Sequence, residues 1–505
     1  MKPEYPRTAG VLLPISSLPS RFGIGTLGEA AYDFVRFLKE AGQTYWQVLP
    51  VGPTGYGDSP YQSFSAFAGN PYFIDLDRLV THNLLTKEDL PPDIPVSQQS
   101  YVDYGALFAT RFSVLRTAYA RFDESDPAYQ QFCTSSQYWL DDYALFMAIK
   151  QTHDQHDWQQ WEEPLRLREP ETMQRVSREL HTEIGFWKFC QFCFSAQWQQ
   201  LKAFANSNGV QIIGDIPIYV SADSADVWSH GELFLLDEQR RPKWVAGVPP
   251  DAFSATGQRW GNPLYDWDSM EQTDFHWWRQ RIAACAALFD ALRIDHFIGV
   301  ARYYAIPVSC PNATEGEWRT GPGEKLTNAI DEAAGATRII AEDLGVLHPS
   351  VIRLLEQTGY AGMKILQFAE DGSTDNLHIP YQYPRNAVAY TGTHDNETTT
   401  GFCQGRSADQ LWFLMDYTGV TEKSELPDAM IRCVLASVAN TAIISMQDWL
   451  GLDNHARMNT PSTLGSNWTW RLLPHQITAA LTWHISQLTK VYGRLARPPS
   501  SQHTV

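Results

Sequence analysis

At 505 residues the chain can bury a sizeable core, and its length suggests about three folding units or one large, elaborated one. Hydrophobic residues make up 44% of it and charged residues 19%, which is far from the composition of a disordered chain. The formal charge of −18 argues against a nucleic-acid partner, because binding to phosphates depends on clustered Lys and Arg. A neutral, hydroxyl-rich substrate would not be repelled.

The sequence predicts a soluble, cytoplasmic protein. No stretch approaches the eighteen or so uninterrupted apolar residues of a membrane helix, and the apolar start at 11–13 meets Pro14 at once, unlike a signal peptide. Seven Cys, an odd number thinly spread, do not resemble a disulfide framework and indicate a reducing compartment. Cys190 and Cys193 form a C-x-x-C without a second Cys or His pair, so we predict a core role and no zinc. Aromatic residues are abundant at 13%, which fits either a ring-rich core or a binding cleft.

Eight short apolar runs recur along the chain with helical patterns between them. They lie at 9–15, 45–51, 210–220, 291–297, 337–342, 362–368, 387–393 and 439–446. This alternation predicts parallel strands joined by helices, and eight is the strand number of a closed barrel. We therefore predict an α/β fold, a (β/α)8 TIM barrel with inserted, mainly helical subdomains, as a single catalytic barrel over 1–505.

The gap between the second and third runs is much longer than one helix needs. We expect an inserted helical subdomain there, at approximately 75–200, between strands 2 and 3. The segments 137–151 and 174–206 are predicted to be helical, and the Pro-rich segment 90–95 is predicted as a linker.

Four acidic residues lie near the end of an apolar run or shortly after it. A (β/α)8 barrel carries its catalytic groups at the C-terminal ends of its strands, which is where these runs place the acids. They are Asp215, Asp295, Glu342 and Asp395. A helix N-cap explains any one of them alone. Four instances at matching positions, accompanied by Arg293, His296 and His394, favour a catalytic site.

The local spacing around Asp295 is chemically sensible. Arg293 and Asp295 are two apart on a strand, so both face the same side, where the guanidinium would hold the carboxylate ionised. Glycosyl transfer with retention needs one ionised and one protonated carboxyl group about 5 Å apart. Asp295 and Glu342 fit these roles if the other acids and a desolvated site raise the pKa of Glu342.

Several longer segments are distinctive. They are GYGDSPY at 55–61, GDIPIYV at 214–220, GVPPD at 247–251, GQ at 257–258 with WGNP at 260–263, RIDH at 293–296, AEDLG at 341–345, TGTHDN at 391–396 and NTP at 459–461. In these segments the chain closely resembles the 4-α-glucanotransferases, also called amylomaltases or disproportionating enzymes, of glycoside hydrolase family 77. The resemblance extends from about residue 9 to about residue 471.

The resemblance implies transfer of α-1,4-glucan segments from a donor maltooligosaccharide to an acceptor glucan or glucose, by a retaining double displacement. It makes Asp295 the nucleophile that forms a β-linked glucosyl-enzyme. Glu342 would be the acid and then the base, and Asp395 would grip ring hydroxyls and stabilise the oxocarbenium-like transition state. It implies no organic cofactor, and the carboxylates are explained without a metal.

The resemblance also implies a set of substrate-binding residues. His296 and His394 would hydrogen-bond the same sugar, although a core histidine explains either one alone. Asp215 would support the site, and aromatic residues would contact or stack on sugars unless they belong to the core. The full set is Tyr56, Asp58, Ser59, Tyr61, Asp215, Pro250, Asp251, Gln258, Trp260, Arg293, His296, His394 and Asn459.

The segment 249–258 is rich in turn residues and resembles the family's loop over the cleft. We expect a loop insertion at approximately 221–275 that covers the active site, excludes water and so favours transfer over hydrolysis. An ordinary surface loop remains the alternative. One departure from the family is Ile298, which stands where many relatives carry Arg, and the nearby Arg302 is a candidate to compensate.

Three competing functions stay open from the sequence. An α-amylase-like hydrolase on the same barrel would share the covalent intermediate, and a glucan-binding protein with a decayed site would share the cleft. A metal enzyme is disfavoured because no His pair at ligand spacing and no calcium loop appears. The expected partners are glucans alone, without nucleic acid or membrane, and the chain is expected to be a monomer or a weak homodimer.

Overall fold

The computed structural model describes residues 5–55, 57–95, 98–250, 254–345 and 347–496. Twelve strands lie within these ranges. They are β1 (Thr8–Leu12), β2 (Tyr45–Gln47), β3 (Gln211–Pro217), β4 (Trp244–Val248), β5 (Gln258–Pro263), β6 (Ala291–Asp295), β7 (Arg302–Pro307), β8 (Glu317–Thr320), β9 (Arg338–Ala341), β10 (Ala361–Ile365), β11 (Ala387–Tyr390) and β12 (Thr441–Ser445).

Eighteen α-helices lie in the same described ranges. They are α1 (Glu29–Glu40), α2 (Leu76–Thr81), α3 (Tyr104–Tyr119), α4 (Pro127–Thr152), α5 (Glu163–Arg166), α6 (Pro170–Glu179), α7 (His181–Ser207), α8 (Ala225–Ser229), α9 (Trp267–Gln272), α10 (His276–Leu288), α11 (Ile298–Ala301), α12 (Glu324–Ala334), α13 (Pro349–Thr358), α14 (Thr399–Gln404), α15 (Trp412–Thr418), α16 (Leu426–Ala436), α17 (Met446–Trp449) and α18 (Ala479–Val491). Short 3₁₀ helices include Pro71–Phe73, Leu366–Ala369 and Asn454–Ala456.

Eight of the strands close into a parallel barrel in the order β1-β12-β11-β10-β9-β6-β3-β2. Each predicted apolar run overlaps one of these strands, and β1 and β10 begin one residue before their runs, so the fold class is confirmed. The observed strands are shorter than the runs. After β2, for example, Val48, Leu49 and Val51 stay buried although the strand has ended, because hydrophobicity records burial and not strand pairing.

Side chains at alternate strand positions fill the inside of the barrel. Ile213, Ala291, Ile340, Met363 and Tyr390 belong to this inner cluster. Because the period of a strand is two, Asp215 follows Ile213 on the inner face, and Arg293 and Asp295 follow Ala291. The sequence pattern that builds the barrel core therefore also directs these charged groups to the interior at its upper end.

Six helices, α2 to α7, lie between the second and third barrel strands. The helical prediction at 174–206 corresponds to α6 and α7, which are separated at Leu180, where the backbone leaves the helical region (φ −102°, ψ 16°). On α7, Gln191 pairs with the backbone of Gly69 in both directions, at 2.8 Å each, and joins these helices to the barrel loops. Cys190 and Cys193 are buried on the same helix. The boundaries of a subdomain at approximately 75–200 stay a prediction.

A separate antiparallel sheet, in the order β5-β4-β7-β8, stands beside the barrel. The predicted insertion at approximately 221–275 contains α8, β4, β5 and α9, and the strands that complete the sheet come from beyond it, at 302–320. The strands of this sheet were not predicted from the sequence. No described helix is both long enough and apolar enough to cross a lipid bilayer.

Candidate active site

Four strands bring the predicted acids to one end of the barrel. Asp215 lies near the end of β3, Asp295 ends β6, Glu342 follows β9, and Asp395 lies in the turn after β11. In the strand register, Arg293 pairs with Asp215, and Ile294 pairs with Ala341. Because the strands are parallel, their C-terminal ends meet at a single rim, as in other barrels of this kind.

Arg293 holds two of these acids together. Its Nη1 donates to both oxygens of Asp215, at 2.7 and 2.9 Å, and to Oδ1 of Asp295 at 2.9 Å. Burial desolvates the guanidinium, but the carboxylates of Asp215 and Asp295 outweigh this and raise the pKa of Arg293 well above its ordinary value. Arg293 therefore stays charged, and its guanidinium lies against the carboxyl group of Asp295, whose side chain is 27% exposed.

Glu342 lies beside Asp295 in a drier setting. Its Oε2 accepts the backbone N–H of His296 at 2.6 Å and its Oε1 accepts that of Leu344 at 2.9 Å. Desolvation, together with the negative charge of Asp295, outweighs these donors and Arg293 and raises the pKa of Glu342 to about 7. The site thus contains two neighbouring carboxyl groups in unlike surroundings, because Asp295 bonds to Arg293 whereas Glu342 is buried and holds its proton more tightly than a free Glu does.

Tyr61 connects the carboxylates on opposite sides of the rim. Its hydroxyl donates to Oδ2 of Asp215 at 2.8 Å, and its ring stacks on His394 with centroids 5.2 Å apart. Burial and the charge of Asp215 raise the pKa of the Tyr61 hydroxyl well above its ordinary value, and Asp295 and Asp395 add to this shift. All three acids therefore lie within electrostatic range of one hydroxyl group.

Asp395 is the most open of the predicted catalytic acids, with 45% of its side chain exposed. Nδ2 of Asn459 donates to Oδ1 of Asp395 at 2.6 Å. Nε2 of His394 lies 3.4 Å from Oδ2 of Asp395. The carboxylate is therefore oriented from two sides while it keeps access to the cleft.

His296 occupies an unusual position directly after Asp295. Its φ of 51° lies in the left-handed region, and its backbone N–H is the group that donates to Glu342. Burial lowers the pKa of His296 to about 4, so the imidazole is neutral near pH 7. Its Nε2 is buried and has no hydrogen-bond partner among the described residues. Trp260 meets the ring edge-on, with centroids 4.8 Å apart.

The other predicted binding residues that the structure describes are characterised by their local contacts, exposure and charge. Oε1 of Gln258 accepts from Nε1 of Trp260 at 3.1 Å, and the hydroxyl of Ser59 accepts from the backbone of Tyr61 at 3.3 Å. Asp58 has a φ of 59°, and burial raises its pKa to about 6. Its charge acts on Tyr72 and Tyr104. Pro250 is exposed on the loop after β4, and the predicted residues Tyr56 and Asp251 lie outside the described residues.

The departure at Ile298 has a clear local setting. Ile298 begins α11 and is buried, with 5% exposure. Arg302, the candidate to compensate for the missing Arg, begins β7, and its guanidinium lies 3.9 Å from the ring centroid of Trp318. Arg302 is therefore engaged by the antiparallel sheet.

Arg457 is a contact residue that the sequence reasoning missed. Its Nη2 donates to the carbonyl oxygen of Asp395 at 2.7 Å, and its Nε donates to that of Asn459 at 2.8 Å. The nearby NTP segment drew attention to Asn459, but nothing in the sequence indicates that Arg457 reaches back to residue 395. Within the described ranges, no cluster of three His, Cys, Asp or Glu residues could hold a metal ion.

Comparisons of the sequence and of the structure with known proteins point to the same family. The family model described as 4-alpha-glucanotransferase matches residues 13–477. The 4-alpha-glucanotransferase of Clostridium butyricum is 47% identical over 95% of this chain and 99% of its own length. That of Thermus thermophilus is 48% identical over 94% and 96%. The solved amylomaltase of Streptococcus agalactiae, in complex with acarbose, is 40% identical, covers 97% of this chain and 99% of its own, and superposes with a TM-score of 0.93.

Proposed function

We propose the following activity for this chain, which belongs to the 4-alpha-glucanotransferases of glycoside hydrolase family 77. It transfers an α-1,4-glucan segment from a donor maltooligosaccharide to an acceptor glucan or to glucose, with retention at the anomeric carbon. The observation that carries this proposal is the unlike pair Asp295 and Glu342. One carboxylate is held by Arg293, while the other keeps its proton up to a pH of about 7.

In the first half of the reaction, an oxygen of Asp295 attacks C1 of the donor sugar. Glu342 gives its proton to the glycosidic oxygen, so the bond from C1 to that oxygen breaks and the reducing-end fragment leaves as an alcohol. The product is a β-linked glucosyl ester on Asp295. Glu342 is now ionised.

In the second half, a hydroxyl of the acceptor glucan attacks the same carbon. Glu342 takes the proton of that hydroxyl, the ester bond to Asp295 breaks, and a new α-1,4 linkage forms. Both catalytic groups return to their starting protonation states. Positive charge develops on the sugar ring in each half, and the carboxyl group of Asp395 stabilises it while its open face accepts hydrogen bonds from ring hydroxyls.

The neutral His296 is suited to bind the same sugar. Its unpartnered Nε2 is able to exchange a hydrogen bond with a hydroxyl group without adding charge to the site. The stacked rings of Tyr61 and His394 would line the cleft next to this sugar. Together with Trp260 they supply flat surfaces for the apolar face of a glucose ring.

A covering loop is the second element of the proposal, because water and a sugar hydroxyl compete for the glucosyl-enzyme. Trp260 on β5 contacts His296 directly, which supports a role for the insertion at approximately 221–275 in closing the cleft. Exclusion of water favours transfer over hydrolysis. A monomeric or weakly dimeric, cytoplasmic enzyme remains our expectation, and the charge of −18 is compatible with neutral glucans.

Incubation with maltotriose tests the reaction class. A transferase produces a ladder of longer maltooligosaccharides together with glucose, whereas the alternative α-amylase-like hydrolase produces only shorter sugars. Asp295→Asn and Glu342→Gln should both abolish the ladder. As a control, Asp290→Asn changes an acid just before β6, at the end of the strand opposite to Asp295, and this variant should still produce the ladder. Products limited to shorter sugars, or a ladder that survives Asp295→Asn, would overturn the proposal.

A further inference from the structure

Residues 453–460, here called the strap, run alongside the turn that carries Asp395. The backbone N–H of Asn459 donates to the carbonyl of His394 at 3.1 Å, and its side-chain amide donates to Oδ1 of Asp395 at 2.6 Å. Arg457 donates to the carbonyl oxygens of both Asp395 and Asn459. The strap therefore holds Asp395 by its backbone and by its carboxylate.

The strap is itself fixed to the protein body. Ala456 and Met458 are buried, with 4% and 2% exposure. The backbone N–H of Trp468 donates to the carbonyl of Met458 at 2.7 Å, and Nδ2 of Asn454 donates to Oε1 of Glu397 at 2.8 Å. Both ends of the strap are thus anchored, and Arg457 lies between the anchors.

The chemistry of arginine suits a link between two loops. The guanidinium is planar and rigid and carries only donors, so two of its nitrogens fix two carbonyl oxygens in relation to each other. Here the two carbonyls belong to Asp395 and to Asn459, the residue that orients the Asp395 carboxylate. Arg457 itself contacts the backbone of Asp395 and not the carboxylate that faces the cleft.

We propose that Arg457 is a positioning residue for Asp395. It locks the strap against the turn after β11, and this sets the direction of the carboxylate at the moment when the sugar ring becomes cationic. The inference rests on the proposed function, because it needs Asp395 to act in the transition state. Loss of Arg457 should therefore lower kcat more than it raises KM, because Asp395 acts when the sugar ring becomes cationic. A misplacement of a catalytic group by about 1 Å is able to cost about 100-fold in rate.

A double-mutant cycle tests the link between the two residues. Arg457→Gln is made in the unchanged chain and in an Asp395→Asn background, and release of fluoride from a maltosyl fluoride donor is followed at steady state. In the unchanged background we expect kcat to fall roughly 10- to 100-fold with KM within about threefold. In the Asp395→Asn background the further loss should be under about threefold, because the group to be positioned is already gone. The kcat of Arg457→Lys should lie between those of the wild type and Arg457→Gln, because one compact ammonium group must serve two carbonyl oxygens.

A matched control separates positioning from general stability. Arg7 is also partly buried and donates to the backbone, at 2.6 Å to Ser437 and 2.7 Å to Leu435, but it precedes β1 at the opposite end of the barrel. Arg7→Gln should change the melting temperature without changing kcat per folded molecule. Equal losses from Arg457→Gln in both backgrounds, or a loss matched by Arg7→Gln, would overturn the proposal. If the single variant Asp395→Asn kept normal turnover, the proposed role of Asp395 itself would be wrong. That result comes from the single variant alone, so it is distinguishable from a failure of the role of Arg457.

Discussion

The proton on Glu342 makes the stability of the protein depend on pH in a defined direction. Desolvation and the charge of Asp295 raise its pKa in the folded chain from the ordinary 4.5 to about 7. Between these values the folded state binds the proton more tightly than the unfolded state does. The stability that this proton contributes is therefore fully present below pH 4.5 and is lost as the pH rises through about 7.

Glu342→Gln removes the titrating group, so comparing the variant with the wild type measures how much the titration of Glu342 contributes to the free energy of unfolding. Each pKa unit corresponds to about 1.4 kcal/mol, so the free energy of unfolding of the variant, minus that of the wild type, should rise by roughly 2 to 3 kcal/mol between about pH 5 and about pH 8. The measurement is urea-induced unfolding, followed by tryptophan fluorescence at both pH values.

A constant offset between the two proteins does not affect this comparison. The Gln amide must face one of the two backbone N–H groups, of His296 or Leu344, with a donor of its own, and that penalty is the same at both pH values. A difference that stays flat with pH, or that falls, would refute the claim that the site keeps Glu342 protonated near neutrality. Glu342 would then not be suited to serve as the acid.

Three further predictions concern the groups around Arg293. Tyr61→Phe removes the hydroxyl that donates to Asp215, so urea titration should show a loss of about 1–3 kcal/mol, and unchanged stability would contradict the importance of that bond. Arg293→Lys should lower kcat by at least about 100-fold in steady-state assays, because one ammonium group replaces the fixed guanidinium that serves two acids, and a loss below tenfold would count against it. Treatment with EDTA should leave transfer unchanged, because the arginine supplies the positive charge; loss of activity that added calcium or magnesium restores would show the opposite.

The barrel was predictable because its signal is local. Each of the eight strands overlaps a short apolar run, and the period of two sends Arg293 and Asp295 to the same side. The acids at 295, 342 and 395 were found by their position after such runs, and the structure gathers them at one rim. The roles assigned to them stay predictions.

The contacts that orient the site were not predictable in the same way. Asn459 stays a predicted substrate-binding residue, but the contact of its side-chain amide with Asp395 was not indicated by the sequence. Arg457 reaches that residue through a bond to a backbone carbonyl, which depends on the path of a loop and leaves no periodic trace in the sequence. The pairing of β4 with β7 joins segments far apart in the chain, and short strands of this kind carry too little pattern to be recognised.

Trapping the intermediate shows whether Asp295 forms a bond to the sugar while Glu342 moves the proton. Glu342→Gln is mixed with maltosyl fluoride, whose leaving group needs little help from an acid, and the protein is digested and mapped by mass spectrometry. We expect a dihexose adduct on the peptide that contains Asp295, and its absence in the Asp295→Asn, Glu342→Gln double variant. An adduct on Asp395 or on Asp215, or fluoride release without any adduct at residue 295, would contradict it.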